Sequence, residues 1–144
     1  MSEPGITPAA APGLAPSVPC PCDTGLAYGR CCGRWHGGPH QGQAPDALAL
    51  MRSRYSAYVL GLTDYLQASW HPSTRPAPSD PEPGLRWLGL QIKGHQEQDL
   101  THATVEFVAR SKLGGRAHRL HETSRFVCDG GRWYYLDGDL HAGG

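Results

Sequence analysis

The chain has 144 residues, with 13 Lys and Arg against 13 Asp and Glu, so its formal charge is zero. That length allows one ordinary domain with its own core plus a small appendage. The charge balance gives no long-range field toward phosphate backbones, which argues against bulk nucleic-acid binding. No stretch approaches the ~20 apolar residues that cross a bilayer, and the first residues have neither a basic end nor a continuous apolar run, so a cytoplasmic protein without a membrane span is expected.

Residues 1–18 are mostly Ala, Pro, Gly and Ser, a composition that buries too little apolar surface to offset chain entropy, and a disordered arm is expected there. A cysteine segment follows over residues 19–38, and the HGGPHQGQ stretch (36–43) has the punctuation of a linker. From residue 44 to 140 the pattern is that of one α+β domain. Ala47, Leu48, Met51, Tyr55, Tyr58, Val59 and Leu62 recur at helical spacing, with Pro45 suited to the first helical position and Gly61 to the end. A second short helix is expected with Thr63 as its cap, ending before Pro72. Residues 71–84 hold five prolines and read as a long, stiff loop.

After Gly84 the period becomes two. Leu88, Leu90 and Ile92 share one side of a strand, and Val105, Phe107 and Ala109 share one side of the next. The segments RAHRLHETSRFV and RWYYLD then flank Asp129-Gly130, a hairpin signal. Two helices followed by four strands predict helices packed on one face of an antiparallel sheet.

The stretch CPCDTGLAYGRCC (20–32) contains four of the five cysteines. Thiols in a reducing compartment stay free, which weakens a disulfide reading. Zinc asks for four tetrahedral ligands, and two close pairs joined by a turn supply them: Cys20 with Cys22, and Cys31 with Cys32. His36 is an alternative fourth ligand, while a redox pair or free thiols are the competing readings. A full shell of protein ligands makes one structural Zn2+ ion and leaves no open position for catalysis. Arg30 and Arg34 are near enough in sequence to offset the thiolate charge.

Cys20-Pro21-Cys22, Gly25, Tyr28 and Cys31-Cys32-Gly33 resemble the SEC-C zinc motif, known from the C-terminus of the preprotein translocase ATPase. The resemblance implies Cys32 as the fourth ligand over His36. Asp23-Thr24 stands where the motif usually has Gly-Ser. Further on, ALMRSRYSAYVLG (49–61), ASWHPSTRP (68–76), LGLQI (88–92), VEFVAR (105–110), RLHETSRFV (119–127) and RWYYLDGD (132–139) resemble the YchJ-type family of uncharacterised bacterial proteins. That resemblance implies a SEC-C segment followed by a nuclear-transport-factor-2-like (NTF2-like, cystatin-like) domain, a curved sheet wrapped around helices. It implies no activity.

In RAHRLHETSRF, alternation places His118, Leu120, Glu122, Ser124 and Phe126 on one side. Leu120 and Phe126 mark that side as the core, so Glu122 needs a buried partner, and Arg54 or Arg52 of the first helix is expected to pair with it. Arg54, Tyr55, Trp70, His118, Glu122 and Ser124 are therefore the candidate pocket residues, with Tyr58 beside them. Glu122 and His118 fit either an acid–base pair or a buried tie that seats the helix. The eight histidines show no metal-binding spacing such as HExxH. Cys128 is expected to be an unpaired thiol.

The function expected from these features is that of a protein-interaction adaptor, whose zinc knuckle presents Leu26, Tyr28, Arg30, Arg34 and Trp35. In the translocase ATPase the similar motif engages protein partners. The alternative is a small-molecule binder or enzyme using the pocket of the domain. Domains with this curved sheet often pair through its open face, so a homodimer is a further expectation.

Overall fold

A computed structural model of the chain describes residues 14–141. Four strands form one antiparallel meander: β1 (Arg86–Glu97), β2 (His102–Leu113), β3 (Arg116–Asp129) and β4 (Arg132–Leu140), paired in that order. The last two hairpins turn on Gly114-Gly115 (φ 58° and 79°) and Gly130-Gly131 (φ 62° and 82°). A two-residue turn of this hand needs positive φ at both positions, which glycine adopts without strain. The second turn therefore lies one residue beyond the Asp129-Gly130 pair expected from sequence, and Asp129 ends β3 opposite Arg132.

Val105, Phe107 and Ala109 are buried on the inner face of β2, and Phe126 is buried beside them on β3. Full burial of such side chains contributes roughly 1.5–3 kcal/mol each for the larger ones. Leu88 departs from the expected stripe. The β1–β2 register slips between Trp87 and Gly89, and this bulge leaves Leu88 49% exposed while Trp87 turns against Tyr55.

Among the described residues three α-helices precede the sheet, after a single 3-10 turn at Tyr28–Arg30: α1 (Gly33–His36), α2 (Ala47–Leu60) and α3 (Thr63–Ala68). Asp46 caps α2 by accepting from Ala49 N–H at 2.8 Å, so Pro45 stays outside the helix. Gly61, at φ 73°, closes it in the left-handed conformation. Thr63 is the first residue of α3 and not its cap, a position held by Leu62 without a side-chain bond. Backbone bonds from Tyr135 N–H to Ser69 O and from His71 N–H to Tyr135 O then stitch the end of α3 to β4. Residues 71–85 carry no helix or strand. Among the described residues no helix is long and apolar enough to cross a membrane.

The burial of α2 differs from the expected single stripe. Residues 53–57 are all buried, and five consecutive residues make more than one turn, so the helix is covered on two sides. Tyr58 and Val59, expected on the same helical face as Met51 and Tyr55, are 44% and 37% exposed. The sheet covers one side and the cysteine segment covers the other. Residues 1–13 of the expected disordered arm lie outside the described residues. Residues 14–18 are ordered against the knuckle instead: Tyr28 N–H bonds Val18 O, Gly29 N–H bonds Pro16 O, and Leu14 and Val18 pack on the core. A Cβ at Gly29 would come within 2.7 Å of Pro16 Cβ, so this contact requires glycine.

Asp46→Ala is expected to lower unfolding stability by about 1 kcal/mol in urea melts, the usual effect of losing such a cap. An unchanged midpoint would show that α2 does not depend on it.

Candidate functional site

Two faces of α2 organise two sites. On one face, Ser53 and Ser56 are fully buried under the cysteine segment. Cys20 Sγ lies 3.5 Å from Ser56 Oγ, and Arg52 Nη1 donates to Cys22 O at 2.9 Å. His36 is buried, with Nδ1 2.5 Å from the Tyr28 hydroxyl and Nε2 2.8 Å from Ser53 O. Both ring nitrogens are thus engaged, and the group of four thiols consists of Cys20, Cys22, Cys31 and Cys32.

Their sulfur atoms all lie within 4.8 Å of one another and are buried. A tetrahedral zinc ion with bonds of about 2.3 Å sets its sulfurs about 3.8 Å apart, so the donor set fits such an ion in number, softness and spacing. Hydrogen bonds from Cys20, and then from Cys32, pull the Cys22 thiol below its ordinary range. Bonding led by Cys32 likewise lowers Cys31, whereas Cys32 is pushed up, chiefly by its bond to Cys20. Thr24 Oγ1 sits 3.2 Å from Cys31 Sγ and accepts from Leu26 N–H.

Asp23 adopts φ 67°, a left-handed conformation that Asp tolerates better than most residues. Its carboxylate accepts from Leu90 N–H of the edge strand at 3.1 Å. The departure from Gly at this point of the motif therefore adds a tether between knuckle and sheet.

The other face of α2, with Met51, Arg54, Tyr55 and Tyr58, closes a cavity of about 270 Å³ against the sheet. Trp87 packs on Tyr55 and Tyr58 at one end, and Trp70 stands edge-on to Tyr135 at the other. Glu122 and Ser124 form the polar part of the floor, between Phe107, Leu120 and Phe126. Glu122 Oε2 accepts from Ser124 Oγ at 2.6 Å and from the Tyr135 hydroxyl at 3.3 Å. Burial, followed by the Glu122 charge, pushes the Tyr135 phenol up and keeps it a donor. Gly138 faces Glu122, and a Cβ there would overlap the carboxylate, so glycine makes room for it.

Arg54, Tyr55, Trp70, Glu122 and Ser124 line this cavity, but His118 does not. His118 has the expected phase on β3, yet it lies near the start of the strand, opposite Ser111, and is exposed. The expected Arg–Glu122 pair is also absent. Arg54 Nη1 donates to Leu66 O and Ser69 Oγ at the end of α3, with its guanidinium over the Tyr135 and Trp70 rings. Arg52 points to the knuckle instead. Two residues along a helix turn through about 200°, so the two arginines of RSR cannot serve the same face. Asp23, Tyr135 and Gly138 were not read as site residues from sequence, and Arg52 was read only as a partner for Glu122. Only Gly138 left a clear signal, as a small residue inside an otherwise regular strand.

The chain matches the family description "YchJ, middle NTF2-like domain" over residues 46–138 and the SEC-C motif over residues 17–34. It belongs to the YchJ (UPF0225) family. A UPF0225 protein of Bordetella parapertussis is 57% identical over 141 residues, covering 97% of this chain and 99% of that protein. One of Bordetella pertussis is 61% identical over 128 residues, 87% of this chain and 96% of the relative. The solution structure of a SEC-C motif containing protein from Rhodopseudomonas palustris superposes with a TM-score of 0.75 at 34% identity, covering 86% of this chain and 99% of that one. A crystal structure of a SEC-C motif containing protein from Psychrobacter arcticus gives 0.72 at 29% identity, covering 91% and 88%. The NTF2-like α+β architecture of the YchJ family is thus shared by solved members of the SEC-C group.

Tyr28, expected on an exposed recognition surface, is 1% exposed and holds His36. A Cβ at Gly33 would come within 2.7 Å of Tyr28 O, so the start of α1 packs directly on it. Tyr28→Phe is expected to cost about 1–3 kcal/mol, because it leaves a buried imidazole nitrogen without its partner. Chemical denaturation measures this, and a neutral result would contradict the structural role.

Proposed function

We propose that the domain is a small-molecule-binding module and that Cys20, Cys22, Cys31 and Cys32 hold one structural zinc ion that locks the knuckle to α2. The observation supporting the ligand reading is Glu122, whose carboxylate stands in an aromatic cavity with two hydroxyl donors and, among the described residues, no cationic side chain bonded to it. Glu122 is half-buried, and a carboxylate partly withdrawn from water is favoured by further donors, which a ligand would supply. Arg54 lines the same cavity but is engaged at the end of α3. The fitting ligand is small, largely aromatic or apolar, and carries a hydroxyl or amine for Glu122. Binding is favoured over acid–base chemistry, since His118 lies outside the cavity.

The test uses 2-naphthol against naphthalene as probes. The full chain is expected to bind 2-naphthol at least tenfold more tightly, and both Glu122→Met and Gly138→Ala should abolish that preference with thermal stability recorded in parallel. Equal binding of the two probes by the unmodified chain would sink the assignment of Glu122.

The zinc reading predicts one zinc per chain by native mass spectrometry. Zinc-finger peptides gain roughly 10–16 kcal/mol from such a site, so Cys22→Ser should lose the ion and loosen the N-terminal segment. A metal-free chain with the same melting temperature would contradict it. Cysteines that serve as zinc ligands suit a reducing compartment, which supports a cytoplasmic location.

A second reading, protein recognition by the knuckle, is supported by Leu26, which is 50% exposed, beside Arg30 and an Arg34 guanidinium stacked 4.5 Å over Trp35. Leu26→Glu should then abolish partner capture while leaving zinc content and naphthol binding unchanged.

A further inference from the structure

The outer face of the sheet gathers a second set of metal-ligating side chains, away from both the thiol cluster and the cavity. Glu106 of β2, His121 of β3 and His141, the residue after β4, place one ligand atom each within 4.8 Å of the others. The register explains the meeting. Glu106 lies opposite Thr123, and His141 N–H bonds His121 O at 2.8 Å, so the two histidines face each other across neighbouring strands with the glutamate on the diagonal. Sequence spacing alone, 15 and 20 residues, gives no hint of it.

His121 Nε2 lies 2.7 Å from Glu106 Oε2, and the two imidazoles stack at 3.9 Å with their planes 7° apart. Thr123 Oγ1 is 2.7 Å from His141 Nε2. The ordinary reading is a His–Glu ion pair with a stacked neighbour. However, the same three side chains each offer one ligand atom within 4.8 Å of the others, and imidazole nitrogen is the commonest protein ligand for metal ions. An ion with bonds of about 2.0–2.1 Å keeps adjacent N and O donors about 2.9–3.4 Å apart, from octahedral to tetrahedral angles, which requires this pair to open by about 0.2–0.7 Å. Arg125, two strand positions from Thr123 on the same face, is held by Asp137 and Asp139, which limits its opposition to a bound cation.

We propose that Glu106, His121 and His141 form an exchangeable site for a borderline divalent cation such as zinc or nickel. Two imidazoles and one carboxylate suit such ions, in contrast with the all-thiol set of the knuckle. The side chains of Glu106 and His121 are 38% and 18% exposed, so the ion is reached from solvent and water completes its shell.

Nickel chloride titrated into the full, zinc-equilibrated chain tests this by calorimetry and by paramagnetic broadening of backbone amide signals. One equivalent is expected to bind, with broadening centred on residues 106, 121 and 141 and at least tenfold weaker affinity in His141→Gln and in Glu106→Gln. Unchanged affinity in both variants, broadening centred on residues 20–32, or no uptake at millimolar nickel would overturn the proposal.

Discussion

The structure depends on how the back of α2 is covered. That face presents Ser53 and Ser56, small polar residues that are fully buried, and the backbone carbonyl of Ser53. Such a surface has little apolar area to hold a partner by burial alone. The cysteine segment covers it through specific polar contacts: Cys20 on Ser56, His36 on Ser53 O, and Arg52 on Cys22 O, while Tyr65 of α3 takes the Ser53 hydroxyl. These contacts are directional, so they require the segment to hold one shape. Tyr28 is its one large side chain that is fully buried, which leaves the four clustered thiols as the principal means of fixing that shape.

The opposite face of the same helix closes the cavity, so knuckle and cavity are mechanically linked through α2. Met51, Arg54, Tyr55 and Tyr58 recur at intervals of three and four on that side. Arg54 ties the helix to α3, and backbone bonds between α3 and β4 place Trp70 against Tyr135. The carboxylate of Glu122 then sits where Tyr135, Ser124 and the absent side chain of Gly138 allow it. In this account the metal acts on ligand binding only through helix position, since the cysteines and Glu122 lie on different sides of α2.

Features set by local chemistry were legible in the sequence. The paired cysteines, the period-two strands, the proline loop and the glycine closing α2 each follow from a residue type at a given spacing. What sequence did not show depends on which surface meets which. A helix covered on both faces has no single apolar stripe, so Tyr58 and Val59 were placed on one face with Ala47 and Met51 although they are exposed. The partner of Glu122 was misplaced because Arg52 points to the other face, and Arg54, although it lines the cavity, is taken up by Leu66 O and Ser69 Oγ. Leu88 fell out of phase at a bulge that only the pairing with β2 reveals. Tyr28, part of a motif with no visible core, proved to be that motif's own core. The Glu106–His121–His141 group exists only through strand register.

Hydrogen–deuterium exchange along α2, measured on the zinc-equilibrated chain with and without a chelator, tests the central claim most directly. If the metal-organised knuckle holds the helix, chelation should speed exchange of residues 50–57 by at least tenfold while leaving the central strands β2 and β3 protected. Unchanged protection of α2 after complete loss of zinc would contradict the account, because the helix and the cavity behind it would then be held by the sheet alone.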